Sequence, residues 1–544
     1  MVSTETSTER DVDVAPTASG PAAPPSPAPD PPAPVAPTPT TSGPWAVSLI
    51  VLVTGMFMSV LDVSIVNVAI PAMQKDFGAT TEDIQWVATS YSLALGVIVP
   101  ASAWLGERIG LKRAYIFSLI GFAAGSALCG LAWDLNSMIA FRILQAIPGG
   151  VIPVVALSML YRIVPREKIG AAMGMYGLGI IVAPAVGPTL GGYLVEYVDW
   201  RLIFFINVPI GVLGAIAAVV LLPAFRGGTS HRFDLPGFLA IAAGLFSLLL
   251  ALSEGESWGW TSYPVLILLV FGTLCLALFV VIELEVDHPL LDVRVFRFWP
   301  FTNSLILIAV ISIGLFGVLF YIPLYLQQYQ GMGAFDSGLL LLPQAAVMAV
   351  MMPLAGRIYD RFGARWPAVI GLSVMAIGTF MLRDITLETS HTELQWLLAF
   401  RAGGIGLAMM PIMTNGLSAV PPENTSGASA FNNLVQRTSS AMGLAAMTAL
   451  MTAQQAQGMS DMGGLMGAQH VPTSGAGAAA GADAGTASIL QNYSMDQAAT
   501  GQVFTTAFDN LMLITAGLSA VGVCLALLLR NKASASGEKV VVEA

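Results

Sequence analysis

The sequence is poor in charged residues. Only 10% of its 544 residues are charged, whereas 55% are hydrophobic and the mean hydropathy is +0.75. A soluble domain carries about 25% charged residues. The composition therefore excludes an ordinary soluble protein. The many long apolar runs between short charged loops instead predict an all-α protein that crosses a membrane repeatedly.

Cysteine, histidine and clustered positive charge are also scarce. The three cysteines, Cys129, Cys275 and Cys524, lie in apolar runs, which predicts free thiols without a disulfide framework. None of the four histidines falls in a predicted span, and the sequence has no Cys/His spacing typical of metal sites, no P-loop and no G-x-S-x-G string. It also has no basic patch of the kind that binds nucleic acid. We expect no metal, no cofactor, no nucleic-acid partner and no enzymatic activity.

Fourteen apolar spans divide the chain, and they predict two halves of six helices with two additional helices between them. The first 44 residues are rich in Pro and Ala, a composition that cannot bury a core and predicts disorder. The predicted regions are a disordered tail (1–44), the N-terminal half (45–223), the two additional helices with their linkers (224–300), the C-terminal half (301–530) with a long flexible loop (455–502), and a short tail (531–544).

Lysine and arginine are distributed unevenly between the two sides of the predicted bundle. Sixteen lie in one set of loops and the C-terminal tail, whereas the other set of loops holds only Lys75, Arg201 and Arg383. Because basic loops remain in the cytoplasm, we expect both termini to be cytoplasmic and the 455–502 loop to lie outside. The expected location is the plasma membrane, with lipid around the bundle.

Two loops and two arginines repeat between the halves. GERIGLKR (106–113) follows the second span and GRIYDRFGAR (356–365) follows the tenth, and beyond each loop one arginine, Arg142 or Arg401, falls in an apolar span. Such repeated halves are typical of secondary transporters. Short loops with both signs of charge can hold helix ends together and release them, although topology alone also explains basic residues there. The candidate gating residues are Glu107, Arg108, Gly110, Lys112, Gly356, Asp360, Arg361, Gly363 and Arg365.

The fifth span has small residues at helical spacing. In GAAMGMYGLGIIVAPAVGPTLGG (170–192) they recur every four residues, which predicts a smooth face that another helix can approach closely. Two prolines on a second face favour a bend. This helix could rock against a neighbour, or it could simply be tightly packed. Its candidate residues are Ala183, Pro184, Gly187, Pro188, Gly191 and Gly192.

Three strings carry a family resemblance. They are G-x-x-x-A-P-x-x-G-P-x-x-G-G in the fifth span, LDVSIVNVAIP (61–71) in the first, and DWRLIFFINVPIG (199–211) after the fifth. They resemble the fourteen-helix drug:proton antiporters of the major facilitator superfamily, which include many actinobacterial antibiotic exporters. The likeness extends from Trp45 to Arg530. Glu107 and Leu111 depart from the family's usual Asp and basic residue in the first loop.

The resemblance implies the major facilitator fold and a proton-coupled efflux transporter. Its partners would be a hydrophobic drug or antibiotic and protons, its driving force the proton gradient, and its working unit a monomer. Alternating access would carry the drug outward and confer resistance. Two alternatives remain open, namely an exporter of a specific native metabolite and a receptor or scaffold without transport.

Asp62 is the only carboxylate well inside a predicted span. A charged side chain at the centre of a membrane helix costs about 2.5 to 3.5 kcal/mol on insertion scales, so it needs a partner or a function. We expect Asp62 to bind the coupling proton, and it could equally attract the positive charge of a cationic drug. Alternatively, it is a structural carboxylate bonded to Ser64, Asn67 or the backbone. Arg142 is the natural counter-charge, and the resemblance implies a role for it in proton transfer. Gln145 lies on nearly the same helix face.

Four further residues are candidates for lining a central cavity. Arg401 is the counterpart of Arg142 in the second half, but it lies nearer a helix start and could instead extend to the membrane interface. The set comprises Trp86, Tyr91, Arg401 and Gln436.

Overall fold

The computed structural model describes residues 45–224, 233–386, 388–468 and 484–529. Within these ranges the regular structure is helical, with short 3₁₀ turns before α5, α10 and α14 and after α12. The predicted tails, 1–44 and 531–544, lie outside the described residues. The α-helices are α1 (Trp45–Phe77), α2 (Thr81–Ile109), α3 (Leu111–Gly130), α4 (Leu135–Ile163), α5 (Ile169–Tyr197), α6 (Leu202–Phe205), α7 (Asn207–Leu221), α8 (Leu235–Trp258), α9 (Tyr263–Glu285), α10 (Trp299–Gln328), α11 (Ala334–Phe362), α12 (Arg365–Met381), α13 (His391–Ser418), α14 (Thr425–Ala468) and α15 (Ala484–Ala526).

Side chains and glycines at the helix ends explain several of these boundaries. The Thr80 side chain accepts a backbone hydrogen bond at the start of α2, and Asp134 forms a capping box with Ser137 at the start of α4. Both satisfy amide groups that lack a partner within the helix. Gly110 and Gly363 end α2 and α11 with φ of +89° and +78°, a conformation that favours glycine. These glycines occupy the same place in the two repeated loops. We call this end of the bundle the turn end and the opposite end the far end.

Thirteen helical segments of the described chain are long and apolar enough to cross a membrane, with α6 and α7 counted together as one. The remaining predicted span falls in α14, which contains the polar run NNLVQRTSS (432–440) and is therefore less apolar. Nevertheless, α14 packs among the others, against α2, α4, α10 and α15. The structure thus agrees with a bundle of fourteen spans, one of them polar on part of its surface.

Helix contacts separate the bundle into a first set, α1–α7, and a second set, α10–α15. The two sets meet along α5 and α11 and again along α2 and α14. The additional helices are not equivalent, because α8 packs on α9, α2 and α14, whereas α9 packs mainly on α8 and leaves a long apolar face exposed. Helix α8, which lies in the linker between the two sets, therefore contacts both sets.

The segment predicted as a flexible loop over 455–502 is helical at both ends. Helix α14 continues to Ala468 and α15 begins at Ala484, and residues 469–483 lie outside the described chain. The composition explains the difference, since Ala, Met and Gln are strong helix formers even where no apolar stripe marks a helix.

Candidate functional site

One buried ion pair is present among the described residues, and it joins Asp62 of α1 to Arg142 of α4. Arg142 Nη1 lies 2.5 Å from Asp62 Oδ2, and the two side chains are 1% and 0% exposed. The other ion pairs in this part of the chain are at the surface. The two residues singled out from the sequence are therefore in direct contact.

Two amide side chains complete the hydrogen bonding of the Asp62 carboxylate. Gln145 Nε2 and Asn207 Nδ2 both donate to Oδ1, at 2.9 and 3.0 Å. Arg142 Nη1 also donates to Gln145 Oε1 at 2.8 Å, and Asn207 donates to Ser126 Oγ at 3.1 Å. A carboxylate that accepts from three side chains is in an arrangement suited to its ionised form.

Arg142 also makes two close contacts to α2. Its Nε donates to the carbonyl of Val87 at 3.3 Å, and its Cζ lies 3.8 Å from the centre of the Tyr91 ring. Cation–π attraction adds to the ion pair when both partners are removed from water. The network thus links α1, α2, α3, α4 and α7, which all belong to the first set of helices.

The alternative partners proposed for Asp62 have other contacts. Ser64 Oγ donates to the carbonyls of Leu61 and Ala183, at 3.0 and 3.3 Å. Asn67 lies in the lining of a cavity rather than against the carboxylate. Asp62 is instead held by a cation and two amides. Removal of one member of a buried ion pair typically costs about 3–5 kcal/mol, so neutralisation of Asp62 would leave Arg142 in an unfavourable position.

A cavity of about 190 Å³ adjoins this network, in the far-end part of α1, α2 and α8. Arg142 and Tyr91 form its inner wall. The remaining lining is mostly hydroxyl and amide groups, and it includes a residue of the additional helix α8. The other lining residues are Val63, Asn67, Ala88, Thr89, Ser92 and Ser253.

The small-residue stripe of α5 packs on α1, within the first set of helices. A Cβ atom added at Gly187 would collide with the Ser64 side chain, and one at Gly191 would lie 2.8 Å from Ile65 Cγ1. Ala183 is buried in the same contact. The hypothesis that this stripe moves against a neighbour therefore concerns a contact inside one half.

A second face of α5 meets α11 of the other set. A Cβ atom added at Gly174 would lie 2.6 Å from the Met352 carbonyl oxygen and 2.6 Å from Pro353 Cα. Nearer the far end, a Cβ atom added at Gly338 would lie 3.4 Å from Pro188 Cβ. Close approach across the two halves thus depends on glycines in both helices.

Asp360 of α11 caps the start of α5. Its two carboxylate oxygens accept hydrogen bonds from the backbone amides of Gly170 and Ala171, at 2.8 and 3.0 Å. Gly356 lies in backbone contact with Gly170 beside them. A negative charge at a helix N-terminus is stabilised by the free amides and the helix dipole. The second repeated loop therefore joins the two halves at the turn end.

Three other candidate gating residues, Lys112, Arg108 and Arg361, make contacts within their own half of the bundle. Lys112 donates to two backbone carbonyls at the end of α7, each at 2.7 Å. Arg108 and Arg361 each lie beside an aromatic ring of their own helix. Glu107 is exposed and Arg365 is half-buried. The first loop thus fastens α3 to α7, and the second fastens α11 to α5.

Arg401 is buried inside the second set of helices. It is 2% exposed, its Nε donates to Thr379 Oγ1 at 2.8 Å, and its Nη2 donates to the carbonyl of Gly314. The alternative that it extends to the membrane interface is wrong, because the helices on either side enclose it. The remaining candidates are less constrained: Trp86, Pro184 and Gln436 are half-buried, and a Cβ at Gly192 would meet no atom within 4 Å.

Sequence reasoning missed Asn207 and Ser126 as members of the Asp62 network. Asn207 is 0% exposed and its amide bridges the carboxylate and Ser126. A signal was present, since Asn207 stands in the string DWRLIFFINVPIG and is a polar residue at the start of an apolar helix. Burial of an uncharged amide costs less free energy than burial of a charge. The need for a partner was therefore less evident for Asn207 than for Asp62 or Arg142.

Comparisons with known proteins agree with this architecture. A family model described as Major Facilitator Superfamily matches residues 52–444. The chain is 36% identical over 404 residues to the "Uncharacterized MFS-type transporter YhcA" of Bacillus subtilis (strain 168), covering 74% of this chain and 76% of that protein. It is 30% identical over 416 residues to the "Tetracenomycin C resistance and export protein" of Streptomyces glaucescens, covering 76% of each.

A solved structure gives the same result for the fold. The proton:xylose symporter XylE bound to 6-bromo-6-deoxy-D-glucose superposes with a TM-score of 0.54 at 13% sequence identity. The alignment covers 87% of this chain and 94% of that one. At this identity the likeness supports the arrangement of helices and says nothing about substrate.

Proposed function

Because the chain belongs to the Major Facilitator Superfamily, we propose that it exports hydrophobic drugs or antibiotics across the plasma membrane in exchange for protons. A relative that matches three quarters of the chain is named for tetracenomycin C resistance and export. The fold and family indicate a transporter rather than an enzyme. Export of a toxic compound would make the host cell resistant to it.

The observation that carries the proposal is the buried pair of Asp62 and Arg142. With Asp62 ionised, its charge is balanced and its oxygens are occupied by three donors. When Asp62 takes up a proton, Arg142 loses its counter-charge, and the helices around it must rearrange or admit another partner. A difference of about 3–5 kcal/mol between paired and unpaired charge would shift a two-state equilibrium by two orders of magnitude or more.

Alternating access would open and close the two ends of the bundle in turn. At the turn end, Asp360 and the backbone contact of Gly356 with Gly170 hold α11 against α5. Opening of this end must break both hydrogen bonds to Asp360 and separate two glycines. The proton-dependent network and the turn-end contact would be the two elements that the cycle switches.

The distribution of basic residues supports an orientation with the turn end and both termini in the cytoplasm. Export then requires the drug to enter near the turn end and to leave from the far end. The Asp62 network is built entirely from helices of one chain, which supports a monomer as the working unit.

Transport in inside-out membrane vesicles tests the coupling. A susceptibility panel in a host without its own drug pumps first selects an exported compound. With that compound and an imposed proton gradient, Asp62→Asn should abolish gradient-driven uptake into the vesicles, and Asp62→Glu should retain part of it. Protein content of the vesicles is measured so that poor insertion is not mistaken for lost transport.

Asp76→Asn is the matched control. Asp76 lies on the same helix and pairs with Arg201 at 2.9 Å, but both side chains are partly exposed. An exposed pair contributes at most about 1 kcal/mol, so this variant should transport normally. Undiminished gradient-driven transport by Asp62→Asn would refute the coupling role.

A further inference from the structure

An apolar groove opens on the surface of the second set of helices, at the turn end. Its volume is about 280 Å³, and it lies between the end of α11, the start of α12 and the middle of α13. The lining side chains are hydrophobic, and three of them are more than half exposed. They are Ile358, Phe362, Trp366, Pro367, Ile370 and Leu407. Apart from the indole N–H of Trp366, these side chains have no hydrogen-bonding group, so the groove is suited to a hydrocarbon chain.

The groove extends inward from the ends of two membrane-spanning segments. One of these segments ends at Phe362, and the next begins at Arg365. Ile370 lies further along the second segment, about 7.5 Å deeper than Arg365 at 1.5 Å per residue. Each leaflet of a bilayer contributes about 15 Å of hydrocarbon. The groove therefore lies alongside the half of one leaflet that is nearest to the lipid headgroups.

Two exposed arginines of α11 lie beside the groove. Arg357 and Arg361 each precede a lining residue, Ile358 and Phe362 respectively. The Cζ atom of Arg361 is 5.6 Å from the centre of the Phe362 ring, which forms the shallow end of the groove. Because residues four apart share a helix face, the two arginines form a cationic stripe next to the apolar one. Their long side chains can extend toward the level of the headgroups.

Neither arginine has an acidic partner in the part of the chain that the structure describes. The three ion pairs within those ranges are formed by other residues. The carboxylate next to Arg361 in the chain, that of Asp360, accepts hydrogen bonds from two backbone amides of α5 instead. The positive charge beside the groove therefore complements an anionic group from outside the protein, and guanidinium groups bind phosphate oxygens well.

We propose that the groove binds one acyl chain of an anionic phospholipid, whose phosphate pairs with Arg361 and Arg357. The apolar lining holds the chain of any phospholipid, and the arginines select a headgroup with a net negative charge. Each basic residue near the membrane surface favours an anionic lipid about fivefold. A free phosphate ion would leave the groove unfilled, so a lipid is the ligand that matches both parts of the site. The inference does not depend on the proposed export function.

Tryptophan fluorescence in reconstituted vesicles tests the proposal, because Trp366 lines the groove. The purified full-length protein is placed in phosphatidylcholine vesicles that contain increasing fractions of an acyl-brominated lipid, either phosphatidylglycerol or phosphatidylcholine. Bromine quenches tryptophan at close range, and the difference between a protein and its Trp366→Phe counterpart isolates the Trp366 signal. Half of that signal should be quenched at an about fivefold lower fraction of the anionic lipid than of the zwitterionic one.

Variants separate the two parts of the site. Arg361→Gln should weaken quenching by the anionic lipid and leave quenching by phosphatidylcholine unchanged, which also shows that the variant is folded. Arg361→Lys keeps the charge and should retain most of the preference. Leu407→Phe places a ring in the groove and should weaken quenching of Trp366 by both lipids. Arg297→Gln, a change at an exposed arginine at the same end of the bundle, is the control and should leave the Trp366 signal unaltered.

Each contrary result overturns the proposal. Equal quenching by the two lipids would mean that the groove contacts surrounding lipid without selection, and an unchanged preference in Arg361→Gln would mean that another group selects the lipid. Loss of the preference in Arg297→Gln would indicate attraction by the whole basic surface, and unaltered quenching in Leu407→Phe would show that no chain enters the groove. Glycerol phosphate added in solution should not reverse the quenching, and reversal would indicate a site for a free anion. The vesicles carry no proton gradient and no transported compound, so the result is independent of the Asp62→Asn test.

Discussion

Asp360 and Gly170 are joined by a 2.8 Å hydrogen bond, although they belong to opposite halves of the bundle. The carboxylate of Asp360 takes the place of a local N-cap for α5, because the residue before that helix, Lys168, provides no side-chain cap. One half thus completes the hydrogen bonding of a helix in the other. Separation of the halves at this end exposes the free amides of α5.

Neutralisation of this cap should favour opening of the turn end. Asp360→Asn removes the charge that the helix dipole stabilises and one of two acceptors, at a cost of about 0.5–2 kcal/mol. Spin labels at the exposed positions Glu167 and Arg357 should then report a larger share of long distances. Asp336→Asn, an acidic residue in the first turn of the same helix α11, is the control. An unchanged distance distribution in Asp360→Asn would show that the cap does not hold this end closed.

Two glycines of α5 should respond differently to a bulky side chain. Gly174→Leu would force α11 away at the contact between the halves, so the variant should fold but lose transport. Gly187→Leu would instead overpack the contact with α1. It should lower the free energy of unfolding by about 1–3 kcal/mol. Gly192→Leu, where space is open, should change neither. Normal transport by Gly174→Leu would mean that close approach of α5 and α11 is unnecessary for the cycle.

The buried ion pair should behave non-additively on mutation. Arg142→Gln leaves the Asp62 charge unbalanced and should destabilise the protein by about 3–5 kcal/mol, whereas the double variant with Asp62→Asn should regain much of that loss. Neither variant should transport. Each variant is heated through its melting transition, and the folded protein that remains is quantified by size-exclusion chromatography. A double variant no more stable than the weaker single one would show that the charges do not depend on each other.

The orientation of the bundle can be checked by thiol labelling in a cysteine-free background. Thr261 lies between α8 and α9 at the far end, and Asp287 follows α9 at the turn end. A membrane-impermeant maleimide should label a cysteine at Thr261 in intact cells and should label one at Asp287 only after lysis. The reverse pattern would invert the topology and the proposed direction of export.

The sequence was most informative where a residue was costly in its surroundings. Asp62 and Arg142 stood out because charges in apolar spans need partners, but their contact depends on how α1 packs against α4, which no local pattern encodes. Periodicity likewise indicated which residues of α5 share a face. It could not indicate that Gly187 faces α1 and Gly174 faces α11, because both neighbours offer an apolar surface of similar character.

Hydropathy was least informative for α14. Its polar run lowers the mean hydropathy of the span, although the helix packs deep in the bundle beside α2 and α10. A helix that faces other helices on several sides has less apolar surface to present to lipid.

Helix α8 is hydrogen-bonded to both halves through two residues that lie within one turn of each other near its far end. Ser253 lies 3.5 Å from the Thr89 hydroxyl of α2, and Glu256 accepts a hydrogen bond from Thr452 of α14 at 3.3 Å. Any rocking that changes the separation of Thr89 and Thr452 must break one of these bonds or tilt α8. Helix α9, which packs on α8 and faces outward with an apolar surface, must tilt with it. The tilt of such a helix depends on the thickness of the surrounding hydrocarbon. The lipid composition of the membrane therefore changes the free energy that opening of the far end requires.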